Sequence, residues 1–424
     1  MYEELKCKKL LILGGTSGET PIVERAKKFG IYTIVADYHT DYSYSPAKLV
    51  ADEAWDVSWS DVDTLEQMCK EHHVDGVIAG FSEFRVENAI KLCERLGLPC
   101  YATMEQLDIT RDKIKFKNVC RENGVPVVRE YGSLEEVTHY PVIVKPTDRA
   151  GTIGVTVADS YEELIVAYDY AMEMSVCKSV IIEDFICNAT EVDAYYMIMD
   201  GEITLMTTDD IVKPKDQNDG KVIQSVWLCP MQQEKAFLDT EDKNLRRMIR
   251  NMGIQNGCIF FSGFVNAHKE FVWFECGFRL WGEHEYEYVA RRGMCNYLDI
   301  FIVHALTGST KSVAMERGNP KLKSAAINFY SRAGILKEIS GIDQIRQMED
   351  CYLSIVSGRV GSEYFDNRAI LSKLALVGFC NESEECLKND VAEAYRLFAA
   401  VDIAGRDMVY DRIDPNLITT WWNE

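Results

Sequence analysis

Two segments of this chain bring together residue types suited to holding an anion. Tyr140-Pro141-Val142-Ile143-Val144-Lys145-Pro146 sets a lysine at the end of an apolar strand, and Thr147 to Val155 follows as a loop carrying Gly151 and Gly154. An ammonium beside a glycine-bearing loop binds phosphate by point charge and backbone donors together. Taken alone, the segment also fits a strand-end lysine before an ordinary hairpin. Gly-Lys-Ser/Thr is absent at P-loop spacing, so that motif is excluded. Further on, Val272-Trp273-Phe274 delivers Glu275 to the end of an apolar strand, where an ionised carboxylate requires a cation or a donor. Arg279 lies close by in sequence, and an internal Glu-Arg pair is the plain alternative to a metal.

The elements that must position these groups follow from periodicity. Lys8 to Gly15 reads as a buried strand running into a glycine turn, Thr20 to Phe29 as a helix, and Ile31 to Ala36 as a second strand ending at Asp37. The alternation continues with a helix over Asp61 to Glu71, a strand at Gly76 to Gly80, a helix over Arg85 to Leu96 and a strand starting at Pro99-Cys100-Tyr101. This predicts a parallel sheet covered by helices on both faces. The turn Gly14-Gly15-Thr16-Ser17-Gly18 is either an anion site at a helix N-terminus or a closely packed corner. It lacks the Gly-x-Gly-x-x-Gly spacing, although Asp37 stands roughly twenty residues on, where a ribose-binding acid would be. Beyond residue 105 the texture turns to helix, glycine loop and antiparallel strands, with an Asp200-Gly201 hairpin signal. A turn over Asn266 to Lys269 and a long helix over Glu382 to Phe398 complete the reading.

Lys113, Lys145, Glu183-Asp184-Phe185-Ile186, Glu191 and Glu275-Cys276-Gly277-Phe278-Arg279 occur in this order across most of the chain. The ordered set resembles the ATP-grasp superfamily, most nearly its carboxylate-amine ligases of the carbamoyl-phosphate synthetase-like, biotin carboxylase-like and amino-acid ligase-like kinds. The resemblance implies an α/β fold with a parallel N-terminal α/β domain over 1–105. It places a two-lobed α+β ATP-binding core over 106–310 and an α+β C-terminal domain over 311–424. It implies ATP and Mg2+ as cofactors. Lys113 and Lys145 would contact the phosphates, with Gly151 and Gly154 in the loop that closes over them. Glu183, Asp184, Phe185 and Ile186 would meet adenine, and Glu191 would accept from the ribose hydroxyls. Lys213 is either a further phosphate contact or part of a solvated charge cluster. Glu275 would hold magnesium, and Arg279 would stabilise an acyl phosphate and the oxyanion formed on attack, making Lys145 and Arg279 the catalytic pair.

The chain departs from the family pattern at two places. Gly277 stands where Glu-x-Asn-x-Arg has its metal-binding amide, and the window for a second ligand holds Phe261, Ser262 and Gly263. Water and phosphate oxygens then complete the shell, or Glu283, Glu285 or Asp210 substitutes, or turnover is lost. The acids of Trp281 to Tyr288 are either an amine-binding edge, with His284 accepting a proton, or a solvated helix start. Cys276 reads as packing rather than a nucleophile.

Composition narrows the classes. With 46 Lys and Arg against 67 Asp and Glu, the net charge of −21 disfavours nucleic acid or anionic membrane as a partner. The 14 cysteines are scattered without a paired framework, which fits free thiols in a reducing cytoplasm and argues against a zinc site. No leader pattern and no membrane-length apolar run is present. The expected activity is ligation of a small-molecule carboxylate to an amine through an acyl phosphate, in a cytoplasmic protein with a homodimer as the default assembly. A nucleotide-binding pseudoenzyme or sensor is the alternative, and an NAD-dependent oxidoreductase rests on Gly14 to Asp37 alone.

Overall fold

The computed structural model describes residues 3–149, 153–214, 224–365, 372–410 and 412–422. Gly151, assigned to the closing loop, lies outside them. Among the described residues the strands form four sheets.

The first is parallel, with β1 (Lys9–Leu13), β2 (Tyr32–Ala36), β3 (Glu53–Trp55) and β4 (Gly76–Ala79) in the order β3-β2-β1-β4. Its central strands are apolar on both sides because both sides are covered. Leu11, Leu13 and Ile34 pack with Leu65 and Val86 on one face, whereas Leu10, Ile12 and Val35 pack with Ile22 and Val23 on the other. The strand expected at Pro99–Tyr101 does not form. Proline offers no N–H to a ladder, and Thr103 with Gln106 builds a capping box that commits the next residues to the helix Met104–Arg111.

A small antiparallel sheet follows, with β5 (Glu130–Tyr131), β6 (Val142–Pro146), β7 (Thr156–Ala158) and β8 (Val180–Asp184) in the order β5-β8-β6-β7. The helix Tyr161–Met174 closes it by burying Leu164, Ala167 and Ala171. The large sheet has eight strands. β9 (Ala189–Met199), β10 (Glu202–Val212), β11 (Val226–Cys229), β12 (Gly257–Asn266) and β13 (Phe271–Gly277) are joined by β14 (Lys323–Tyr330), β16 (Cys351–Val356) and β18 (Lys373–Asn381). Their order is β13-β12-β9-β10-β11-β14-β18-β16, so strands from beyond residue 310 extend the sheet begun at β9. β15 (Gly334–Ser340), β17 (Glu363–Tyr364) and β19 (Ala399–Asp402) make a third, three-stranded antiparallel sheet.

The hairpin β9–β10 turns at Asp200 and Gly201, whose φ values of 47° and 87° are the pair a two-residue turn needs. Its register sets the two faces of the large sheet. Val192, Ala194, Tyr196 and Ile198 enter the core with Ile259 and Phe261. Strand alternation then places Glu191, Asp193 and Tyr195 together on the opposite face. Among the described residues no helix is long and apolar enough to cross a membrane.

Candidate functional site

Glu275 owes its position to a β-bulge. Ser262 pairs with Glu275 and Gly263 with Trp273, so Phe274 is one residue too many on β13. An unbroken strand would send Glu275 to the same side as Trp273, which is fully buried in the core beside Phe261. The extra residue reverses the alternation and turns the carboxylate to the face shared by Ser262 and Asp193.

The two lysines arrive from different elements. Lys113 opens the helix Lys113–Glu122, whose N-terminus is capped by Asp112 accepting from Ile114 N (3.0 Å) and Lys115 N (2.9 Å). Its Nζ donates to Arg149 O at 2.8 Å, which ties it to the loop after β6. Lys145, near the end of β6, sets its Nζ 5.2 Å from the centre of the Phe274 ring and 2.7 Å from Glu183 Oε2. Burial pushes the Glu275 carboxyl above its ordinary range; Lys113 and then Lys145 oppose that, while Glu83 and Glu191 add to it. The two lysines singled out from sequence are thus the cations that offset burial at Glu275.

Glu183 is not turned outward. It is 1% exposed and ion-paired with Lys145 and with Lys117, a fully buried lysine. Burial raises its pKa, yet the two ammonium groups outweigh that and hold the carboxyl below its usual value. Sequence reasoning missed Lys117, although it stands four residues after Lys113 on the same helix face. Asp184 turns its side chain away, accepting from Tyr131 Oη at 2.6 Å. Phe185 is exposed, and its N–H donates to Pro141 O at 3.2 Å, where the chain leaves β8 toward Ile186. Glu191 is met by Lys213 Nζ (2.6 Å) and Gln224 Nε2 (2.8 Å), so Lys213 reaches the site through this acid. Gly154 has φ 76°, and a Cβ there would come within 2.7 Å of Pro146 and 2.8 Å of Met174. Only glycine lets the loop lie this close to β6 and the helix behind it.

Arg279 is clamped. Its Nε lies 3.3 Å from Glu83 Oε1, one N–H donates to Leu280 O at 2.9 Å, and its guanidinium lies 5.2 Å from the Phe260 ring and 5.7 Å from that of Trp281. Opposite Gly277 stands Phe260, whose ring would be 2.3 Å from any Cβ at that position. The place of the missing amide is filled by an aromatic ring. Two proposed substitutes are engaged elsewhere: Glu283 takes Lys373 Nζ at 2.6 and 2.7 Å, and Asp210 accepts from Gln232 N (2.6 Å) and Trp421 Nε1 (2.7 Å). Glu285 is buried, its Oε2 has no hydrogen-bond partner among the described residues, and burial pushes its pKa up to about 8. His284 is buried against the Phe81 ring with Nδ1 2.5 Å from Tyr286 Oη, and burial lowers its pKa to about 3. Cys276 faces the core, with its thiol toward Thr110 O at 3.6 Å.

The glycine turn of the first sheet is already occupied. Glu19, fully buried, accepts from Thr16 N (2.9 Å) and Thr16 Oγ1 (2.6 Å) and pairs with Arg85 at 2.6 Å. A carboxylate with its own counter-ion at this turn opposes a pyrophosphate, which argues against the oxidoreductase reading.

The architecture is that of the ATP-grasp fold. The profile of the family described as "D-ala D-ala ligase C-terminus" matches residues 92–221. A formate-dependent phosphoribosylglycinamide formyltransferase of Erythrobacter litoralis is 29% identical over 210 residues, covering 47% of this chain and 50% of that protein. The chain thus spans about half the length of the curated relatives it matches. Among solved structures, an L-amino acid ligase from Bacillus licheniformis superposes with a TM-score of 0.76 at 18% identity, covering 94% of this chain and 99% of that one. A biotin carboxylase–β-γ-ATP complex from Campylobacter jejuni gives 0.73 at 14% identity over 99% and 96%.

Proposed function

We propose that the protein is an ATP-dependent ligase that activates a small-molecule carboxylate as an acyl phosphate and passes the acyl group to an amine, releasing ADP and phosphate. The observation that carries this reading is that Lys113 opens a helix packed against β13 while Lys145, from the small sheet, sets its Nζ 5.2 Å from the ring centre of Phe274, the residue before Glu275. Two ammonium groups facing one acid suit a polyphosphate with its divalent counter-ion. Glu275 would hold magnesium with the Ser262 hydroxyl beside it, since that ion accepts water and phosphate oxygens for the rest of its shell. Bound there, the metal would neutralise charge on the terminal phosphates.

The chain's own residues divide the remaining work. Lys145, held by Glu183, positions the phosphate to be transferred; Glu191, released from Lys213 and Gln224, receives ribose hydroxyls; the backbone from Asp184 to Ile186 meets adenine. Arg279 supplies a fixed guanidinium for charge developing on the acyl oxygen. The relatives support joining a carboxylate to an amine: one is named for formate and phosphoribosylglycinamide, another for ligating L-amino acids. A second reading, nucleotide binding without turnover, is favoured by the Phe260 ring against Gly277.

A phosphate-release screen over amino acids and small acids, singly and in pairs, separates the two. The ligase reading expects ADP release that requires a carboxylate and is abolished in Glu275→Gln while ATP still binds. ATP binding with no release for any pair would leave the second reading standing.

A further inference from the structure

Lys117 has been given no task in the site, yet it is a lysine without exposed surface. It stands one turn after Lys113 on the helix Lys113–Glu122, where its Nζ donates to Val128 O at 2.8 Å and pairs with Glu183 Oε1. Glu183 holds Lys145 with its other oxygen, Oε2, at 2.7 Å. A second acid competes for the buried lysine: Glu130 faces Glu183 across the β5–β8 ladder and brings its Oε2 to 3.7 Å from the Lys117 ammonium. Exposure rises along the row of three, from 0% for the side chain of Lys117 through 1% for Glu183 to 13% for Lys145. Only the last of them opens toward a ligand.

Stability does not account for Lys117, because a buried ion pair is often no better than apolar side chains of the same volume. What the pair alters is the charge left on Lys145. A lysine facing a carboxylate alone is neutralised by it, and the attraction it offers a phosphate is correspondingly small. Here the carboxylate is shared. Two ammonium groups on one acid leave an excess of positive charge, and with Lys117 walled off in the core that excess is available on the Lys145 side. The same arrangement fixes the geometry, since Glu183 is gripped from behind by Lys117 and so presents Oε2 to Lys145 in one place.

We propose that Lys117 is a positioning residue of the nucleotide site: by occupying one oxygen of Glu183 it keeps Lys145 fixed in place and free in charge for the polyphosphate. The inference rests on the ligase reading for the identity of the ligand at Lys145, and it extends that reading to a side chain that never touches the nucleotide.

The test uses the full chain, with ATP and adenosine as probes and apparent affinities read by thermal-shift titration. Lys117→Met keeps the length and removes the charge. ATP affinity should weaken at least about tenfold while adenosine affinity changes by less than about twofold, because only the polyphosphate meets Lys145. In the Lys145→Met background the same change should weaken ATP no further, since Lys117 acts through Lys145. This cycle decides by itself where adenosine binds too weakly to titrate. Equal losses for ATP and adenosine, additive losses in the double variant, or an unchanged ATP affinity would each leave Lys117 a structural residue and overturn the proposal. Where Lys117→Met does not fold, Glu130→Gln serves: with the competing acid gone, Lys117 turns wholly to Glu183, and ATP should bind about twofold tighter. Unchanged or weaker binding in that variant also overturns the proposal. Failure of the unaltered protein to bind ATP overturns the ligase reading itself, whereas ATP binding that ignores Lys117 removes the positioning role and leaves that reading standing.

Discussion

Phe260 and Gly277 are paired across β12 and β13, and the phenyl ring lies where a side chain at 277 would begin. The two residues are therefore coupled: position 277 cannot gain a side chain unless the ring at 260 moves or shrinks. Gly277→Asn alone forces the ring aside and should cost about 1–3 kcal/mol of stability by urea unfolding. Combined with Phe260→Ala, it should be less destabilising than the two single changes summed, and magnesium-dependent ADP release should rise above that of either single variant. Strict additivity would mean that the ring does not occupy the place of the missing amide.

Glu183 is held between Lys145 and Lys117. Glu183→Gln leaves two ammonium groups facing one neutral amide, and breaking a buried pair in this way costs about 3–5 kcal/mol. Chemical unfolding should show a loss of that order together with weakened ATP binding. A loss of no more than about 0.5 kcal/mol would show that the acid does not anchor Lys145.

Arg279→Lys keeps the charge but loses the planar group lying against Phe260 and Trp281 and directed by Glu83. The expected effect on carboxylate-dependent turnover is a fall of about 10²–10³ in kcat with little change in the KM for ATP. A change confined to KM would make Arg279 a nucleotide contact instead.

Elsewhere in the chain, burial first, and then the neighbouring Asp350 carboxyl, raise the pKa of Asp390 to about 7. The folded state then holds a proton that the unfolded chain has released above the ordinary carboxylate range near pH 4. Stability should therefore fall as pH rises from about 4 to about 7, by at most about 1.4 kcal/mol per pH unit, and solvent screening at this half-buried position brings the slope lower. Asp390→Asn should flatten the dependence of the urea midpoint between these values. An unchanged slope would mean that Asp390 does not titrate in this range.

Much of the architecture was legible because it is written in local pattern. The apolar runs of β1, β2 and β4, the Asp200-Gly201 turn and the helix at Glu384–Leu397 need only neighbouring residues to specify them. Pro99–Tyr101 was misread because a capping signal a few residues on outweighs a short apolar run. In the site, the types and order of Lys113, Lys145, Glu191, Glu275 and Arg279 could be read from the chain.

What the chain determined by itself was which charges exist and on which kind of element each sits. Only the tertiary structure decided which of them face one another. Glu275 points to the site because Phe274 is an unmatched residue in the β12–β13 ladder, and Glu183 on β8 meets Lys117 from the helix Lys113–Glu122 and Lys145 from the neighbouring strand β6. A strand's register belongs to two segments at once, and one residue of slip moves every side chain to the other face.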